Sequence, residues 1–532
     1  MTVEGTAAGQ SGESGARKPS AHIDPSVIDK LFEPFASSDQ PGFAVGVALN
    51  GLPGYRRAFG VASVELPVEL SPTIRMRIGS TTKQFCALAI MLLAEDGRLS
   101  IEDTPREHIP ELSDWAETFT IRHLLSHTSG MRDSFDLLFQ TCGPGIITPP
   151  EAPLQILFDV DSVNFAPGTS WRYNNAGYVV LSEIVERVSG QPFGDFLKTR
   201  IFEPIGMSET LLRAVDTDMV PNSASLHVPL PTGGWSRGVF GVPLRGEGGI
   251  VSTVDDMLRW LAHMTDPVVG SRETWQQMRT SYATHGYGFG LMIQKHRGLD
   301  IVHHPGAVAG GSSQALKVLG HDLDIVVLNN NGLHVMAMYQ LVDAIIDACI
   351  PSLPPVPENT AGSPVAGTFY SRETGRVISL VAHEGQQLMV LSGMMLPTGR
   401  DPDGALSVPF LPTDLRVRPS SDATRLEITE YGSADSLVRV EPRQGESLDE
   451  LIGSYRSGPA GISADLSRTD QAYNLCFSSP LGSLVYPLTA IGPRLWQMVS
   501  PVPMPLGGTL EIEADGFLFS DMNTTRLRFM RK

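Results

Sequence analysis

The stretch Gly79-Ser80-Thr81-Thr82-Lys83 lies directly before Phe85 to Glu95, a run of apolar residues with helical spacing. A serine at the start of a helix can direct its own backbone N–H and the helix dipole at an incoming carbonyl oxygen. A lysine three residues later lies on the same helix face, so its amine can reach the serine oxygen. The same spacing is also that of a serine that caps a helix beside a solvated lysine. Further motifs must decide between these two interpretations.

Two further triplets follow the Ser-x-x-Lys motif along the chain. Tyr173-Asn174-Asn175 is a Tyr-x-Asn triplet ahead of an amphipathic helix. His304-Pro305-Gly306 is a His-x-Gly triplet after a strand-like run that begins at Ile301. Taken alone, the tyrosine of the first triplet could be a packed aromatic side chain. The three motifs together favour nucleophilic catalysis by a serine.

In this order and at these distances, the three motifs resemble those of penicillin-binding proteins and serine β-lactamases. The resemblance is closest to the branch that contains class C β-lactamases, D-alanyl-D-alanine carboxypeptidases, related esterases and D-aminopeptidases. It covers most of residues 40 to 335 and implies an α/β (α+β) serine β-lactamase-like catalytic domain. Four more segments carry it: Thr120 to Met131, Phe165 to Thr169, Ile201 to Met207 and Gly248 to Thr253.

The resemblance also implies a role for each residue of the motifs. Ser80 would attack the substrate carbonyl, and Tyr173, polarised by Lys83, would take the serine proton and later pass it to the leaving group. Asn175 would bind the substrate amide, and His304 stands where many relatives carry a lysine. The implied catalytic residues are Ser80, Lys83, Tyr173 and His304, and the implied substrate and oxyanion residues are Asn175, Gly306 and Ala307, with the backbone N–H groups of Ser80 and Ala307 forming the oxyanion hole.

A competing metal-binding pattern lies between the first two motifs. His123 and His127 have the i, i+4 spacing that places two imidazoles on one helix face, as in the zinc motif HExxH. The general-base glutamate of that motif is missing, because Leu124 occupies its position. We therefore expect both histidines to hydrogen-bond to the backbone. We expect no metal site and no cofactor.

The chain divides at residues 351–364, where five prolines predict a stiff, extended linker. We expect the catalytic domain, residues 23–350, to keep its own core and to fold without the rest. Beyond the linker, short alternating runs predict an all-β half. Two segments beginning at Val365 and Leu451 are alike, which indicates a duplication. The prediction is two small antiparallel β-barrel domains, at 365–445 and 446–532, and a disordered tail at 1–22.

Composition limits the partners of the protein. A net charge of −18 at pH 7 disfavours nucleic acid and anionic membrane surfaces. The opening residues have no apolar core of a signal peptide, so we expect a cytoplasmic location. The four cysteines lie far apart, and we expect all of them to be free thiols. The expected partner is a small peptide substrate, and a homodimer is one of the oligomeric states left open.

The substrate cannot be chosen from the fold alone. Two β-barrels after the catalytic domain, with His-x-Gly as third motif, resemble the D-aminopeptidase branch, in which a loop of the last barrel reaches the active site. The equivalent loop here, Gln497 to Gly508, contains three prolines and no carboxylate that could bind a free amine. This favours internal cleavage next to a D-residue, for example in a linearised cyanobacterial heptapeptide such as microcystin. The alternatives are a strict D-aminopeptidase, an esterase or D-alanyl-D-alanine carboxypeptidase, and a non-catalytic peptide-binding protein.

Overall fold

The computed structural model describes residues 21–532 except 144, 161, 283–285, 355–364, 384–385, 392–393, 402, 409–413, 431, 444, 459–460, 470–471, 502–506 and 522. The predicted tail at 1–22 therefore lies outside the described residues, apart from its last two. So do most of the predicted linker and the centre of the predicted loop at 497–508. None of the described helices is long and apolar enough to cross a bilayer.

The catalytic half mixes helices with short strands, as predicted. Its helices are α1 (Pro25–Phe32), α2 (Lys83–Glu95), α3 (Pro105–His108), α4 (Ile121–Leu125), α5 (Ser134–Cys142), α6 (Ala152–Asp159), α7 (Asn175–Ser189), α8 (Phe193–Leu197), α9 (Glu203–Ile205), α10 (Val254–His263), α11 (Arg272–Met278) and α12 (Val335–Cys349). Its strands are β1 (Phe43–Leu49), β2 (Leu52–Phe59), β3 (Val61–Ser63), β4 (Val68–Glu69), β5 (Met76–Arg77), β6 (Leu211–Leu212), β7 (His227–Pro229), β8 (Trp235–Arg237), β9 (Ile250–Ser252), β10 (Met292–His296), β11 (Leu299–Val308), β12 (Gly311–Val318) and β13 (Leu323–Asn329).

A six-stranded antiparallel sheet, in the order β10-β11-β12-β13-β1-β2, forms the centre of this half. Residues of β1 alternate between large side chains that pack with α1 and α12 and small ones that face α10. Gly46 shows why the second face is small, since a Cβ there would lie 2.4 Å from a methyl carbon of Val254. The alternation of large and small residues along β1 is therefore the result of helices packing on both faces.

Helix α2 runs through the middle of the helical layer, and its residues from Lys83 to Leu93 are all buried. An α-helix that is apolar all round has no solvent face, so it must be surrounded by other elements. Contacts with α7, α11 and α8 provide that enclosure. The lysine at the first position of α2 is thus carried into the protein interior by the helix that follows it.

The β half consists of two antiparallel units. The first contains β14 (Gly367–Tyr370), β15 (Val377–His383), β16 (Gln386–Leu391), β17 (Met394–Pro397), β18 (Gly399–Arg400), β19 (Leu406–Ser407), β20 (Arg416–Pro419), β21 (Arg425–Glu430) and β22 (Ser433–Val440). The second contains β23 (Gly453–Arg456), β24 (Ser463–Arg468), β25 (Tyr473–Ser479), β26 (Gly482–Gly492), β27 (Leu495–Met498), β28 (Gly508–Ile512), β29 (Gly516–Ser520) and β30 (Leu527–Arg531).

The eight strands of the second unit form a closed barrel, as predicted. The first unit is a nine-stranded sheet whose two edge strands are β17 and β18. Thr398 alone separates these edge strands along the chain, so the sheet must curl until its edges meet. It is therefore a nearly closed barrel, which leaves little exposed sheet edge.

The two alike segments at Val365 and Leu451 occupy equivalent positions in the two units. Each provides the first strand of its unit, and each begins at a glycine in the positive-φ region, with φ of 149° at Gly367 and 151° at Gly453. A Cβ at either glycine would touch the guanidinium of an arginine in the last strand of that unit, Arg439 or Arg531. This shared local geometry is what a duplication would leave behind.

The second barrel and the catalytic half share one apolar core. The cluster includes Phe135, Leu138 and Phe139 of α5 together with barrel residues such as Phe477 and Tyr486. Helix α5 lies against β25 and β26. Two further apolar clusters lie within the catalytic half alone, so the core that we expect there is accompanied by one that is shared with the barrel. The proline-rich linker joins two parts that pack on each other elsewhere.

Polar contacts across the same interface come from the β29–β30 turn. The side chain of Asn164 donates to the carbonyl of Asn523 at 2.8 Å and accepts from the N–H of Thr525 at 2.9 Å. Asp521 in this turn accepts from Gln140 of α5 at 3.2 Å. Burial raises the pKa of Asp521, and the charge of Arg172 opposes that rise. Since Arg172 directly precedes Tyr173, the turn at 521–525 brings the barrel close to the second motif.

Candidate active site

Ser80 lies in a 3₁₀ turn, Gly79–Thr82, that leads directly into α2. The first residue before the turn is Ile78, and no side chain caps the turn or α2. The interpretation of Ser80 as a helix cap is therefore wrong. Ser80 is partly exposed, whereas Lys83 is fully buried.

The Lys83 amine is surrounded by three acceptors. Its Nζ donates to Ser80 Oγ at 3.3 Å, to Asn175 Oδ1 at 2.8 Å and to the backbone carbonyl of Glu247 at 2.8 Å. Burial lowers the pKa of Lys83 to about 7, although the carboxylates of Glu247 and Asp133 oppose this effect. Near neutral pH, a substantial fraction of this amine is uncharged and can accept a proton.

The successive side chains of the second motif have different contacts. Tyr173 lies beside the amine, with its ring centroid 4.7 Å from Lys83 Nζ. Asn174 caps α7 by accepting from the N–H of Gly177 at 2.8 Å. Asn175 then faces Lys83. Burial raises the pKa of Tyr173 well above its usual value, so the phenol stays protonated.

The third motif places His304 in the interior, on β11. Its Nδ1 lies 2.7 Å from the carbonyl of Pro305, and its Nε2 lies 3.0 Å from the hydroxyl of Tyr287. Only an imidazole with its proton on Nδ1 satisfies both partners, since the carbonyl must accept. Burial lowers the pKa of His304 to about 3, with Lys83 adding to the effect. This residue is neutral at pH 7, unlike the lysine of many relatives.

Close backbone contact joins the Ser80 turn to the end of β11, where an oxyanion hole is predicted. Gly79 has φ of 51°, and a Cβ there would lie 2.8 Å from the backbone nitrogen of Ala307. A Cβ at Gly306 would lie 1.9 Å from the carbonyl oxygen of Ile78. Only glycine fits at either position. The turn before Ser80 thus lies against the backbone of Gly306 and Ala307, and the role of the Ser80 and Ala307 N–H groups as an oxyanion hole stays a prediction.

The two histidines with zinc-like spacing hydrogen-bond to the backbone, as predicted. His123 Nδ1 accepts from the N–H of Thr120 at 3.1 Å, and His127 Nδ1 accepts from the N–H of Asn174 at 3.2 Å. The first contact starts α4 and the second holds the Tyr-x-Asn motif in place. Both side chains therefore have structural tasks.

We expect chelators to leave hydrolysis unchanged. Among the residues that the structure describes, no group of three or more His, Cys, Asp or Glu side chains could hold a metal ion. The measurement is kcat/KM after dialysis against EDTA, with re-addition of zinc as the control. Activity that is lost in EDTA and restored by zinc would contradict a metal-free serine mechanism.

Three residues of this site were missed by the motif analysis. Asp133 accepts from the N–H of Asn175 at 2.6 Å, so it fixes the start of α7. The backbone carbonyl of Glu247 accepts from Lys83 Nζ, and the hydroxyl of Tyr287 contacts the His304 ring. Glu247 alone had a sequence signal, because it directly precedes the Gly248-Gly249 pair of a segment already recognised.

A partly exposed serine that accepts a hydrogen bond from a buried lysine, on this fold, is the arrangement of a serine hydrolase. The chain belongs to the Beta-lactamase family, whose pattern matches residues 28–335. It is 27% identical over 430 residues to a D-aminopeptidase of Gluconobacter oxydans, covering 78% of this chain and 79% of that protein.

Two solved structures are similar to it in fold. A D-amino acid amidase from Ochrobactrum anthropi SV3 is 21% identical with a TM-score of 0.53, covering 61% of this chain and 97% of the amidase. The octameric penicillin-binding protein homologue from Pyrococcus abyssi is 20% identical with a TM-score of 0.54. The match covers 86% of this chain and 99% of the Pyrococcus abyssi chain, so the similarity in fold includes the β half.

Proposed function

We propose that the protein is a serine peptidase or amidase that hydrolyses a bond next to a D-amino acid through an acyl-enzyme on Ser80. The observation that carries this proposal is the fully buried Lys83 amine, 3.3 Å from the partly exposed Ser80 hydroxyl. The D-residue comes from the relatives, which include a D-aminopeptidase and a D-amino acid amidase.

In the acylation step, neutral Lys83 accepts the proton of Ser80 as the serine oxygen attacks the substrate carbonyl. The predicted acceptor was Tyr173, but its raised pKa argues against a phenolate. Tyr173 instead acts as a hydrogen-bond donor at the leaving nitrogen. The Lys83 proton reaches the leaving amine through this hydroxyl, so no net proton is gained or lost.

In the second step, water attacks the ester that links the substrate acyl group to Ser80. The same amine and hydroxyl then act in reverse, with Lys83 accepting a proton from water and Ser80 regaining its own. The negative oxygen that forms in both steps lies between the N–H groups of Ser80 and Ala307. Removal of one such donor typically lowers the rate by about 10² to 10³.

Internal cleavage of a linear D-alanine-containing peptide, such as linearised microcystin, remains the finer proposal. It rests on the sequence of the loop at 497–508, whose centre lies outside the described residues. Strict D-aminopeptidase action is the second candidate, because the D-aminopeptidase relative aligns along most of its length with this chain. A free or blocked N-terminus on the substrate separates the two.

We expect a fluorophosphonate probe to label the protein on Ser80 and D-alanyl amides to be cleaved in preference to L-alanyl amides. A non-catalytic binding protein would not be labelled. N-acetylated and free D-alanine peptides of equal length, with linearised microcystin, then test the position of cleavage. Hydrolysis of the acetylated peptide supports internal cleavage, and hydrolysis of the free peptide alone supports an aminopeptidase. Faster cleavage of the L-alanyl amide would overturn the proposed substrate class.

A further inference from the structure

Glu247, whose backbone carbonyl accepts from Lys83 Nζ, has a buried carboxylate with one oxygen unpartnered among the described residues. Its Oε1 accepts from the backbone N–H of Arg245 at 2.9 Å. Its Oε2 is buried and has no hydrogen-bond partner among the described residues. Such a carboxylate is stable in a protein interior only if a nearby cation or a proton neutralises it.

The backbone around Glu247 leaves this carboxylate little freedom to move. A Cβ at Gly246 would lie 2.5 Å from Cys86 Sγ, and a Cβ at Gly249 would lie 2.4 Å from the carbonyl of Leu244. The two glycines allow the segment to press against α2 and its own preceding turn. The carbonyl of Glu247 is thereby fixed on Lys83 Nζ at 2.8 Å.

Charged and titratable groups face the Lys83–Glu247 pair from every element around it. They are Lys83 and Cys86 on α2, Arg77 on β5, Asp133 before α5, Tyr173 before α7, Tyr178 on α7, His127 after α4, His304 on β11 and Arg245 beside Glu247. The two histidines are neutral near pH 7, since burial lowers the pKa of each. Burial likewise keeps the Cys86 thiol and the Tyr173 phenol protonated.

Asp133 and Glu247 are the two carboxylates in this set, and they differ in their hydrogen bonds. Both oxygens of Asp133 accept backbone N–H groups, from Phe135 at 2.9 Å and Asn175 at 2.6 Å. The second oxygen of Glu247 has no such donor and is therefore the free position for a proton. Burial raises the pKa of Glu247 to about 7, close to that of Lys83, while its backbone contacts and Lys83 oppose the rise.

We propose that the Glu247 side chain is a positioning residue whose charge sets the pH at which Lys83 becomes available to accept the Ser80 proton. This inference rests on the proposed function of Ser80 and Lys83. An ionised Glu247 holds the proton on the Lys83 amine by attraction. When Glu247 carries the proton on Oε2, that attraction disappears and the amine is released as a base.

The direction of the effect follows from the charges. Ionised Glu247 raises the pKa of Lys83, so replacing it with a neutral side chain lowers that pKa further. Activity requires neutral Lys83, and it is lost as the pH falls through the pKa of the amine. We therefore expect Glu247→Gln to move the acid limb of the pH–rate profile to lower pH by about one unit.

The test measures the rate of fluorophosphonate labelling of Ser80 against pH, expressed per labelled serine. Glu183→Gln is the matched control, because Glu183 also pairs with Arg245, at 2.8 Å, but does not face Lys83. Its acid limb should stay at the wild-type position. Glu247→Met fills the same space without polar atoms, and it serves if the glutamine variant does not fold.

The acid limb in Glu247→Gln or Glu247→Met decides the inference. An acid limb at the wild-type pH in a folded variant would show that Glu247 only fills space. An equal shift in Glu183→Gln would show a general effect of removing negative charge, and would also overturn the inference. Failure of the wild-type protein to be labelled at all would overturn the proposed function instead.

Discussion

Replacing Ser80 with alanine will lower kcat/KM by about 10⁴-fold or more and leave the fold unchanged. The hydroxyl is the proposed nucleophile, and without it no acyl-enzyme can form. Its loss has little effect on folding because Ser80 caps neither the 3₁₀ turn nor α2. Turnover of a D-alanyl amide and thermal unfolding, measured on the same preparation, check both parts of the prediction.

Ser182→Ala is the matched control, since this buried hydroxyl on α7 donates to the carbonyl of Val179 at 2.8 Å and lies outside the proposed site. Its activity should stay at the wild-type level. Lys83→Ala added to Ser80→Ala should lower the residual rate no further, because both residues act on one proton path. Wild-type activity in Ser80→Ala would remove Ser80 as the nucleophile.

The placement of Ser80, Lys83 and Asn175 beside one another could be predicted from short motifs because each motif is a local structure. Ser-x-x-Lys is one turn of helix, and Tyr-x-Asn is a helix start, so spacing alone places the side chains. The long-range contacts could not be predicted in the same way. Tyr287 reaches His304, and Asp133 reaches Asn175, only through the packing of separate elements.

The protonation states of the site were also beyond the sequence. Tyr173, polarised by Lys83, was expected to take the serine proton and later pass it to the leaving group. The structure buries both groups, and burial acts on them in opposite directions: it favours the neutral amine and the neutral phenol. Residue type and spacing contain no information on burial, so the effect of burial on the pKa values of these two groups could not be predicted from them.

The relation between the two halves is a further case. Five prolines correctly marked the change from mixed to all-β structure, but they did not indicate how the halves pack. In the structure, apolar and polar residues of α5 are buried on all sides of the helix. A helix of this kind needs a cover on every face, and the sequence does not say that the second barrel provides one.

Removing residues 351–532 should therefore prevent the catalytic half from folding stably and abolish activity. Truncation would uncover the α5 face formed by Phe135, Leu138 and Phe139. Exposing each such side chain to water lowers the free energy of unfolding by about 1.5–3 kcal/mol. The sum for a few of them therefore approaches the total free energy of unfolding of a domain, about 5–15 kcal/mol. Asp133, which caps α5 and holds the N–H of Asn175, would be released with the helix. Circular dichroism, thermal unfolding and fluorophosphonate labelling of the truncated chain measure the effect.

A full-length Leu138→Ala variant tests the same interface in a chain that still folds. Leu138 is completely buried in the shared core, so its truncation should lower the free energy of unfolding by about 2–5 kcal/mol.

Leu341→Ala is the control in the chain that lacks residues 351–532, because this residue of α12 packs in the separate core around α1 and β1. A truncated chain that unfolds cooperatively, loses stability on Leu341→Ala and still labels on Ser80 would show that the catalytic half folds alone. In that case the barrel would cover α5 without being needed for the catalytic half to fold. A role of the β half would then have to be sought in substrate binding and not in stability.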